Sequence, residues 1–476
     1  MSLRACLLAL VASAGASSSN GGHPSSAQVT IDASKTFQEY DGMGFSQAFQ
    51  RATHIHGTRA ISPLNETLSP KNSSLVLDLL FTEKGANFNI LRNGIGASLT
   101  DTYDLMLSII PVDPGSPNAK PHYVFNHDDG SQVWLSKEAK KRQPNLLIYA
   151  DAWSAPGFMK DNGTENFGGH LCGVTGTHCK TGDWRQAYAN MLVQYIRFYA
   201  EEGIKIDYLG FLNEPDLATS YASMQSDGTQ AADFLEVLYP TLKKSPFKTK
   251  ICCCDTAGWE EMRPRLAEIQ DRNLEYTVDI VTSHGYDSPP STPFDTTHKV
   301  WQTEWAELNL PWSPVWDNVS APFEGLVWAQ NVQDAFVKSN VSAFLNWIGS
   351  EYTTGNSPLI LNYGDSVEIS KRFWAYAHFS KFVRPGARRI DAESSSDDLH
   401  VSAFRNPDGT AAIQVINVGN GTEVVAFKTS HARGPSIKSY LTNNQYDLKE
   451  STVKYSGRGS FSGSVPARSM VSFVMR

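Results

Sequence analysis

The sequence predicts an α/β fold, a (β/α)8 TIM barrel with an attached antiparallel β-sandwich side domain. Short apolar runs that resemble buried parallel strands alternate with helical patterns through most of the chain. Eight such runs occur, which is the number that a closed barrel requires. After Pro385 the pattern changes to short alternating segments separated by Gly, Asn and Ser turns, which is typical of a small antiparallel sandwich.

The predicted barrel elements follow from the hydrophobic periodicity. The strands are predicted over residues 42–46, 88–93, 146–151, 208–213, 250–255, 278–284, 300–304 and 343–349. The clearest helix is predicted over 184–200, with Asp183 as its N-cap, Gln186 at the capping-box position and Gly203 after its end. Further helices are predicted over 75–84, 231–243 and 327–338.

The domain boundaries follow from the same patterns. Arg4, an apolar stretch and a small-residue cleavage site predict a signal peptide at the start of the chain rather than a disordered cytosolic tail. We expect a signal peptide over 1–16, a flexible mature N-terminus over 17–27, a strand contributed to the sandwich over 28–38, the barrel over 39–387 and the sandwich over 388–476. The protein is therefore expected to be secreted and extracellular.

The composition excludes several partners and chemistries. A net charge of −8 offers no attraction to nucleic acids or anionic membranes. No stretch reaches the roughly 18 uncharged apolar residues that a transmembrane helix needs. The motifs Gly-x-Gly-x-x-Gly, P-loop, Gly-x-Ser-x-Gly and His-Glu-x-x-His do not occur. We therefore expect no cofactor, no metal, no nucleic-acid or membrane partner, and a monomer.

Sequons and cysteines agree with secretion. Six Asn-x-Ser/Thr triplets are candidate glycosylation sites: Asn65, Asn72, Asn162, Asn318, Asn340 and Asn420. Removal of the signal peptide discards Cys6, and Cys172 with Cys179 is the predicted disulfide because the two flank a short loop. The consecutive Cys252, Cys253 and Cys254 are expected to pack as small apolar free thiols, with a metal site as the less favoured alternative.

Two glutamates are the candidate catalytic residues. Glu214 ends the run Gly-Phe-Leu-Asn-Glu after the predicted fourth barrel strand, and Glu304 ends Val-Trp-Gln-Thr-Glu in the seventh. Catalytic groups of β/α barrels lie at the carboxyl ends of strands. Hydrolysis of a glycosidic bond needs one carboxyl group to protonate the leaving oxygen and a second to attack or stabilise the anomeric carbon. The alternative for each is an ordinary surface or salt-bridged carboxylate.

Polar neighbours of these glutamates are candidate substrate-binding or supporting residues. Asn213 is predicted to hydrogen-bond a sugar 2-hydroxyl. His284 and Tyr286, at the end of the sixth strand, are predicted to lie beside Glu304 and donate hydrogen bonds to it. Arg92, at the end of the second strand, is predicted to keep Glu304 ionised, or else to form a purely structural ion pair.

Further residues are candidates for the walls of a sugar site. Trp153 and Trp347 follow strand-like runs and are expected either to face the sugar or to pack in the core. Asn93 follows Arg92 and is a further substrate-binding candidate. Trp312 and Trp316, in the loop after Glu304, are expected either to extend the cleft or to pack the loop.

Asn213-Glu214-Pro215, Glu304, Arg92, the pair His284 and Tyr286, and the added sandwich together resemble glycoside hydrolase family 30. The run Asp-Gly-Met-Gly-Phe-Ser-Gln-Ala-Phe-Gln-Arg, residues 41–51, is similar to the fungal xylanase branch of that family, usually called subfamily seven. The resemblance implies a retaining enzyme with Glu214 as acid/base, Glu304 as nucleophile and β-1,4-xylan as substrate.

The resemblance also suggests a role for Arg51, because some members of that branch recognise glucuronic acid side groups on xylan. A planar guanidinium can bind a uronate carboxylate in a bidentate manner. A solvent-facing arginine is the alternative, and the loop that bacterial glucuronoxylanases use has no clear equivalent here. Rival activities are hydrolysis of β-1,6-glucan or β-1,6-galactan, exo-type xylobiose release, and a non-catalytic carbohydrate-binding protein.

Overall fold

The computed structural model describes residues 25–57, 68–100, 105–430, 436–453, 455–457 and 459–476. The predicted signal peptide, most of the predicted flexible terminus and the sequon at Asn65 lie outside these residues. Within them, no helix combines the length and apolar character needed to cross a membrane.

Strands and helices are numbered here in chain order. The strands are β1 Ser25–Glu39, β2 Gly42–Ser46, β3 Ile90–Ile95, β4 Leu147–Ala152, β5 Tyr208–Gly210, β6 Lys250–Thr256, β7 Ile280–His284, β8 Lys299–Glu304, β9 Ala343–Glu351, β10 Pro358–Tyr363, β11 Ser366–Ile369, β12 Arg388–Ser394, β13 Leu399–Arg405, β14 Ala411–Asn417, β15 Glu423–Thr429, β16 Ile437–Thr442, β17 Lys449–Val453, β18 Tyr455–Gly457, β19 Ser460–Val465 and β20 Ser469–Met475. The helices are α1 Ala52–His56, α2 Pro70–Phe81, α3 Gln132–Arg142, α4 Arg185–Glu201, α5 Gly228–Lys244, α6 Trp259–Asp271, α7 Gly325–Lys338 and α8 Lys371–Ser380.

Strands β2 to β9 form a closed parallel barrel, which confirms the predicted fold class. Each strand pairs in parallel with the next, and β9 closes the barrel by pairing with both β8 and β2. All eight predicted strands are present. Strand β5 is shorter than predicted because it ends at Gly210, before the chain turns towards Glu214. The hairpin β10–β11, which was not predicted, extends the sheet beyond β9.

Helix α4 begins at Arg185, one residue after the predicted start, with Trp184 at its N-cap position. Asp183 nevertheless makes the predicted capping bond, because its carboxylate accepts the backbone N–H of Arg185 at 3.0 Å, next to that residue's guanidinium. Tyr188, Leu192 and their neighbours bury one face of the helix.

Strands β12 to β20 and β1 form the side domain, whose ten strands make one folded-over, mostly antiparallel sheet. Strand β1 lies in the middle of this sheet, antiparallel to β12 and parallel to β15. It begins at Ser25, so the sandwich strand starts three residues before the predicted residue 28. Val29 and Ile31 of β1 are buried with Val425 and Phe427 of β15, which makes β1 part of the domain's core.

Helix α8 fixes the side domain to the barrel. The buried imidazole of His378 bonds Ser472 Oγ at 2.7 Å and Thr442 Oγ1 at 2.9 Å. Trp316 is fully buried and donates its indole N–H to the carbonyl of Arg468 at 2.9 Å. Trp312 donates to Glu368 at 3.0 Å. Trp316 therefore packs the structure and cannot extend a cleft, whereas Trp312 is only half-buried, and its contribution to a cleft stays a prediction.

The cysteines follow the prediction in part. Cys172 and Cys179 are joined in a disulfide, with Cα atoms 5.6 Å apart. Cys252 is a buried free thiol, as expected. Cys253 and Cys254 are instead joined to each other, so the prediction of three free thiols holds for the first alone.

The sequons within the described residues lie at or near the surface. Asn162, Asn318 and Asn420 are exposed, whereas Asn72 and Asn340 are half-buried. Asn162 differs from the others because its amide nitrogen donates to the carbonyls of Asn166 and Gly168, at 3.0 and 2.9 Å. A glycan on that nitrogen would replace one of its two hydrogens.

Candidate active site

The barrel brings a set of ionisable side chains to one rim, because the carboxyl ends of parallel strands meet there. They come from six different strands or from the turn after one of them, with Arg92 inside β3 rather than at its end: Arg92, Asp151, Glu214, Asp255, His284 and Glu304. All six side chains are buried. Burial of so many charges costs free energy unless they pair, so their contacts define the site.

Glu214 and Glu304 face each other, as the sequence predicted. A carboxylate oxygen of each and a ring nitrogen of His284 all lie within 4.8 Å of one another. The two carboxylates are 7% and 5% exposed, so both reach the surface of a pocket while remaining largely dehydrated. A pair this close is suited to attack and protonation at one linkage, whereas a spacing of roughly 6.5–9.5 Å would leave room for an intervening water.

The backbone of Glu214 is constrained to present its carboxylate. Its φ is 46°, in the left-handed region that residues with a Cβ avoid. Its N–H donates to the carbonyl of Asp255 at 2.7 Å, and Asp255 itself has a φ of 48°. Two strained residues therefore hold each other at adjacent strand ends, a pattern that is concentrated at functional sites.

Arg92 is the central cation of the site. One nitrogen of its guanidinium donates to Asp151 at 2.7 Å, to Asn213 Oδ1 at 2.6 Å and to Asp255 at 3.0 Å. The other donates to Glu304. The contact to Asn213 fixes the side-chain amide with its oxygen towards Arg92. The predicted contact of Arg92 with Glu304 is therefore present, within a larger network.

His284 and Tyr286 divide their contacts between the two glutamates. The Tyr286 hydroxyl donates to Glu304 at 3.0 Å, as predicted. His284 Nδ1 lies 3.1 Å from Glu214 and 3.9 Å from Glu304, so the imidazole contacts the predicted acid more closely than the predicted nucleophile. Its Nε2 lies 3.8 Å from Asp255.

The network sets the protonation of these groups. Burial alone lowers the pKa of His284, but the carboxylates of Glu304, Asp255 and Glu214 raise it to about 10. Burial raises the pKa of Glu304, and the positive charges of His284 and Arg92 oppose that rise. The imidazole is therefore a cation at neutral pH, and its Nδ1 is a proton donor.

Two aspartates next to Arg92 have opposite protonation behaviour. Burial and the neighbouring Asp255 raise the pKa of Asp151 well above its usual range. Burial also acts to raise the pKa of Asp255, but Arg92 and His284 hold it below its usual range. Asp255 is therefore ionised, and it also accepts hydrogen bonds from Tyr149 and Thr303, each at 2.6 Å.

Glu214, His284 and Glu304 form the one cluster of potential metal ligands found among the described residues. Its atoms already have protein partners, since His284 Nδ1 lies 3.1 Å from Glu214, and Glu304 accepts from Arg92 and from the Tyr286 hydroxyl.

Aromatic side chains form the walls of a pocket of about 200 Å³ around the two glutamates. Its lining residues are Phe49, Arg51, Trp153, Glu214, Tyr221, Tyr286, Glu304, Leu308 and Trp347. The Trp153 ring lies 4.5 Å from the Arg92 guanidinium carbon and 6.0 Å from the Trp347 ring. Both predicted tryptophans therefore lie at the pocket, although Trp153 is almost fully buried.

Arg51 also lines the pocket, at the start of α1. Its Nε lies 3.1 Å from Glu351 at the end of β9, and its guanidinium donates to the carbonyl of Phe49 at 3.0 Å. Its side chain is 15% exposed. The alternative of a freely solvated arginine is therefore wrong, and an internal carboxylate already holds this cation at the pocket wall.

Asn93 is the predicted substrate-binding residue that the structure places elsewhere. Its amide donates to Ser136 of α3 at 3.0 Å, behind the barrel wall. Successive residues of a strand point to opposite faces, so Arg92 faces the barrel interior and Asn93 faces the surrounding helix. Asn93 is fully buried and cannot contact a substrate in the pocket.

The sequence analysis missed several residues of the site. Asp151 and Asp255 end barrel strands, and the same strand-end rule that identified Glu304 applies to them. Phe49 and Tyr221 lie on loops after strands. Loops have no hydrophobic periodicity, so the sequence does not indicate the direction in which these side chains point. The Tyr221 hydroxyl donates to Glu214 at 3.4 Å, and its ring lies 5.8 Å from Phe49.

A larger cleft of about 770 Å³ lies at the opposite end of the barrel, near Asn89. Its polar groups are occupied with one another, since Gln143 donates to Asn87 at 2.8 Å and Arg384 pairs with Glu83 at 2.5 Å. We place the chemistry in the smaller pocket, where a strained backbone, shifted pKa values and two facing carboxyl groups coincide.

Comparison with known proteins gives matches over the whole fold. Residues 49–360 match the model described as glycosyl hydrolase family 59, and residues 386–473 match the glycosyl hydrolase family 30 beta sandwich domain. The structure is similar to the catalytic domain of GH30 xylanase C from Talaromyces cellulolyticus, with 39% identity, a TM-score of 0.86, and coverage of 94% of this chain and 100% of that chain.

Curated relatives are more distant and differ in activity. An endo-1,6-beta-D-glucanase of Aspergillus fumigatus is 27% identical, over 86% of each chain. The glucuronoxylanase XynC of Bacillus subtilis is 24% identical, over 72% of this chain and 77% of its own. The family 59 model covers the barrel region alone, whereas the 39% identity to a family 30 enzyme extends through barrel and sandwich together, so the full-length likeness has more weight.

Proposed function

This chain belongs to glycoside hydrolase family 30, and we propose that within this family it is a secreted retaining xylanase that cleaves β-1,4-xylosidic bonds by double displacement. The observation that carries the proposal is the pair of carboxyl groups of Glu214 and Glu304, within 4.8 Å in an aromatic-walled pocket. The similarity of this chain to xylanase C, at 39% identity, supports xylan as the polysaccharide that is cleaved.

In the first step the Glu304 carboxylate attacks the anomeric carbon while the Glu214 carboxyl donates its proton to the leaving oxygen. The C–O bond breaks, and a glycosyl ester forms on Glu304. Arg92 and the Tyr286 hydroxyl hold the attacking carboxylate in place. The amide of Asn213, oriented by Arg92, is positioned for the sugar 2-hydroxyl.

In the second step the Glu214 carboxylate removes a proton from water, and the resulting hydroxide attacks the anomeric carbon. The ester breaks, Glu304 is released as a carboxylate, and Glu214 is again protonated. The configuration at the anomeric carbon is inverted twice and therefore retained. The two steps balance with the substrate, one water molecule and the carboxyl groups of Glu214 and Glu304.

The proposal extends to the decorated polymer through Arg51. The guanidinium is planar, lies at the pocket wall and is held by Glu351, so a uronate that binds it must share the cation with an existing carboxylate. We therefore propose that glucuronic acid side groups strengthen binding without being required for cleavage.

A β-1,6-glucanase is the second candidate function. The relative at 27% identity over 86% of both chains favours it. The catalytic pair is common to both activities, so the difference would come from the loops around the pocket. Both glutamates and their supporting residues are present, which argues against a non-catalytic carbohydrate-binding protein.

The test is a product profile on glucuronoxylan, arabinoxylan and β-1,6-glucan, with the anomer of the first product followed by NMR. We expect xylo-oligosaccharides released first as the β-anomer. Glu304→Gln should lower turnover by roughly a thousandfold or more while the fold is kept. Glu307→Gln, three residues along the same loop, is the matched control. Release of the α-anomer, or full activity of Glu304→Gln, would contradict the mechanism, and cleavage of β-1,6-glucan alone would contradict the substrate.

A further inference from the structure

We propose that Tyr221 and Phe167 form an aromatic platform that binds the part of the polysaccharide chain on the leaving-group side of the cleaved bond. The proposal rests on the proposed function, since it uses Glu214 as the acid. It adds a binding surface that extends from Tyr221 in the pocket wall to Phe167 beyond it. The proposed occupant is the set of β-linked sugar units that depart in the first step.

Tyr221 lies beside the acid. Its hydroxyl donates to Glu214 at 3.4 Å, and its ring meets the Phe49 ring edge to face at 5.8 Å. The side chain is nonetheless 40% exposed. Because Glu214 must touch the leaving oxygen, a ring in contact with Glu214 lies next to the first leaving sugar.

Phe167 lies on the neighbouring loop and is 64% exposed, an unusual degree for a phenyl ring. Its φ is 60°, a left-handed conformation that is unfavourable for a residue with a Cβ. Its N–H donates to the carbonyl of Thr219 at 2.7 Å, and Asn166 forms a bridge with Ala222. The loop that carries Phe167 is thus paired along the loop that carries Tyr221.

Further bonds make the two loops one rigid unit. The N–H of Ser223 donates to the carbonyl of Glu165 at 2.9 Å, and its hydroxyl accepts from Gly168 N–H at 2.9 Å. Beneath them the buried ammonium of Lys160 donates to the carbonyls of Ser223 and Glu165, at 2.6 and 3.3 Å. A strained, exposed ring on a rigid support is arranged for contact with a ligand rather than for packing.

The chemistry of these rings indicates the ligand class. A β-linked pyranose presents axial C–H groups on each face, and such a face packs flat on an aromatic ring. The platform offers apolar area with one hydroxyl group near the acid, so it fits a neutral sugar backbone better than a charged side group. It would favour long substrates and oligosaccharide acceptors over substrates that end at the cleaved bond.

The test compares two substrates of the same sugar, xylohexaose and a nitrophenyl β-xylobioside whose leaving group contains no sugar. In Phe167→Ala we expect the ratio of the two kcat/KM values, hexaose over aryl glycoside, to fall about tenfold, the order of one lost aromatic contact. Phe167→Trp should keep the wild-type ratio. Tyr276→Ala, which removes a ring that is 65% exposed on the turn Glu275–Thr277 after α6, is the control and should not change the ratio.

An unchanged ratio in Phe167→Ala would overturn the platform, and so would equal losses on both substrates, which a merely structural role predicts. If the wild-type enzyme cleaves neither xyloside, xylan is rejected as the substrate. The platform is then tested by the same ratio of kcat/KM values, measured with β-1,6-linked gluco-oligosaccharides and the corresponding aryl glycoside. The two failures are distinguishable. Failure of the proposed substrate is seen in the activity of the wild-type enzyme, and failure of the platform is seen in the kcat/KM ratio of Phe167→Ala.

Discussion

Two buried bases, His284 and Lys160, should make the stability of this protein depend on pH in opposite directions. His284 has a pKa raised to about 10 by the surrounding carboxylates. Burial lowers the pKa of Lys160 to about 7. In the unfolded chain the usual values are about 6.5 for His and 10.4 for Lys. Between about pH 7 and 10 the folded protein therefore holds a proton on His284 that the unfolded chain has lost, and it lacks a proton on Lys160 that the unfolded chain retains.

The sign follows from proton linkage. The His284 contribution is complete below the unfolded pKa and is lost as pH rises towards its folded pKa, at about 1.4 kcal/mol per pH unit. For Lys160 the unfolded chain binds the extra proton, so stability rises with pH over nearly the same interval and by the same slope. The two slopes almost cancel in the wild-type protein.

The assay is guanidinium denaturation at about pH 7.5 and about pH 9, with Lys160→Met and His284→Gln compared with wild type. Relative to wild type, Lys160→Met should lose about 2 kcal/mol of unfolding free energy over this interval, and His284→Gln should gain a similar amount. Titrating groups that are remote from both residues cancel in the comparison. If both variants follow the pH dependence of the wild type, the inferred protonation states are wrong.

Two further predictions concern the arginines of the site. Arg92→Met leaves Glu304 and Asp255 buried without their cation, so the unfolding free energy should fall by about 3–5 kcal/mol in denaturant titrations. A loss below about 1 kcal/mol would show that these buried ion pairs contribute no more to stability than exposed ones do. Arg51→Ala should reduce kcat/KM on glucuronoxylan more than on undecorated xylo-oligosaccharide, and an equal effect on both would reject uronate recognition.

The barrel could be predicted because its strands are buried on both faces and read as short apolar runs. Their positions predict that Glu214 and Glu304 lie at one rim. The helix boundaries were less predictable. Asp183 accepts the N–H of Arg185, as an N-cap residue does, but the helix begins at Arg185 rather than at residue 184, because residue type alone does not fix the backbone angles of Trp184.

The remaining site residues were less predictable, because their positions depend on which way a side chain points from its strand and on the conformation of loops. Arg92 and Asn93 are adjacent, and only the strand register decides which of them faces the barrel interior. Tyr221 and Phe167 lie on irregular loops, so tertiary bonds determine where their rings point. Asp255 follows three cysteines, and residue type alone does not indicate that its carboxylate contacts Arg92 and His284.

The central place of β1 in the side domain has a consequence for biosynthesis. Gln28 bonds Ser395, 367 residues later in the chain, and the other neighbour of β1 emerges later still. Strand β1 therefore stays unpaired in the nascent chain until β12 and β15 have been made. Because β1 and residues 388–476 form one domain, deletion of β1 should disrupt the same domain as deletion of β20, and a fragment of residues 388–476 alone would lack a middle strand.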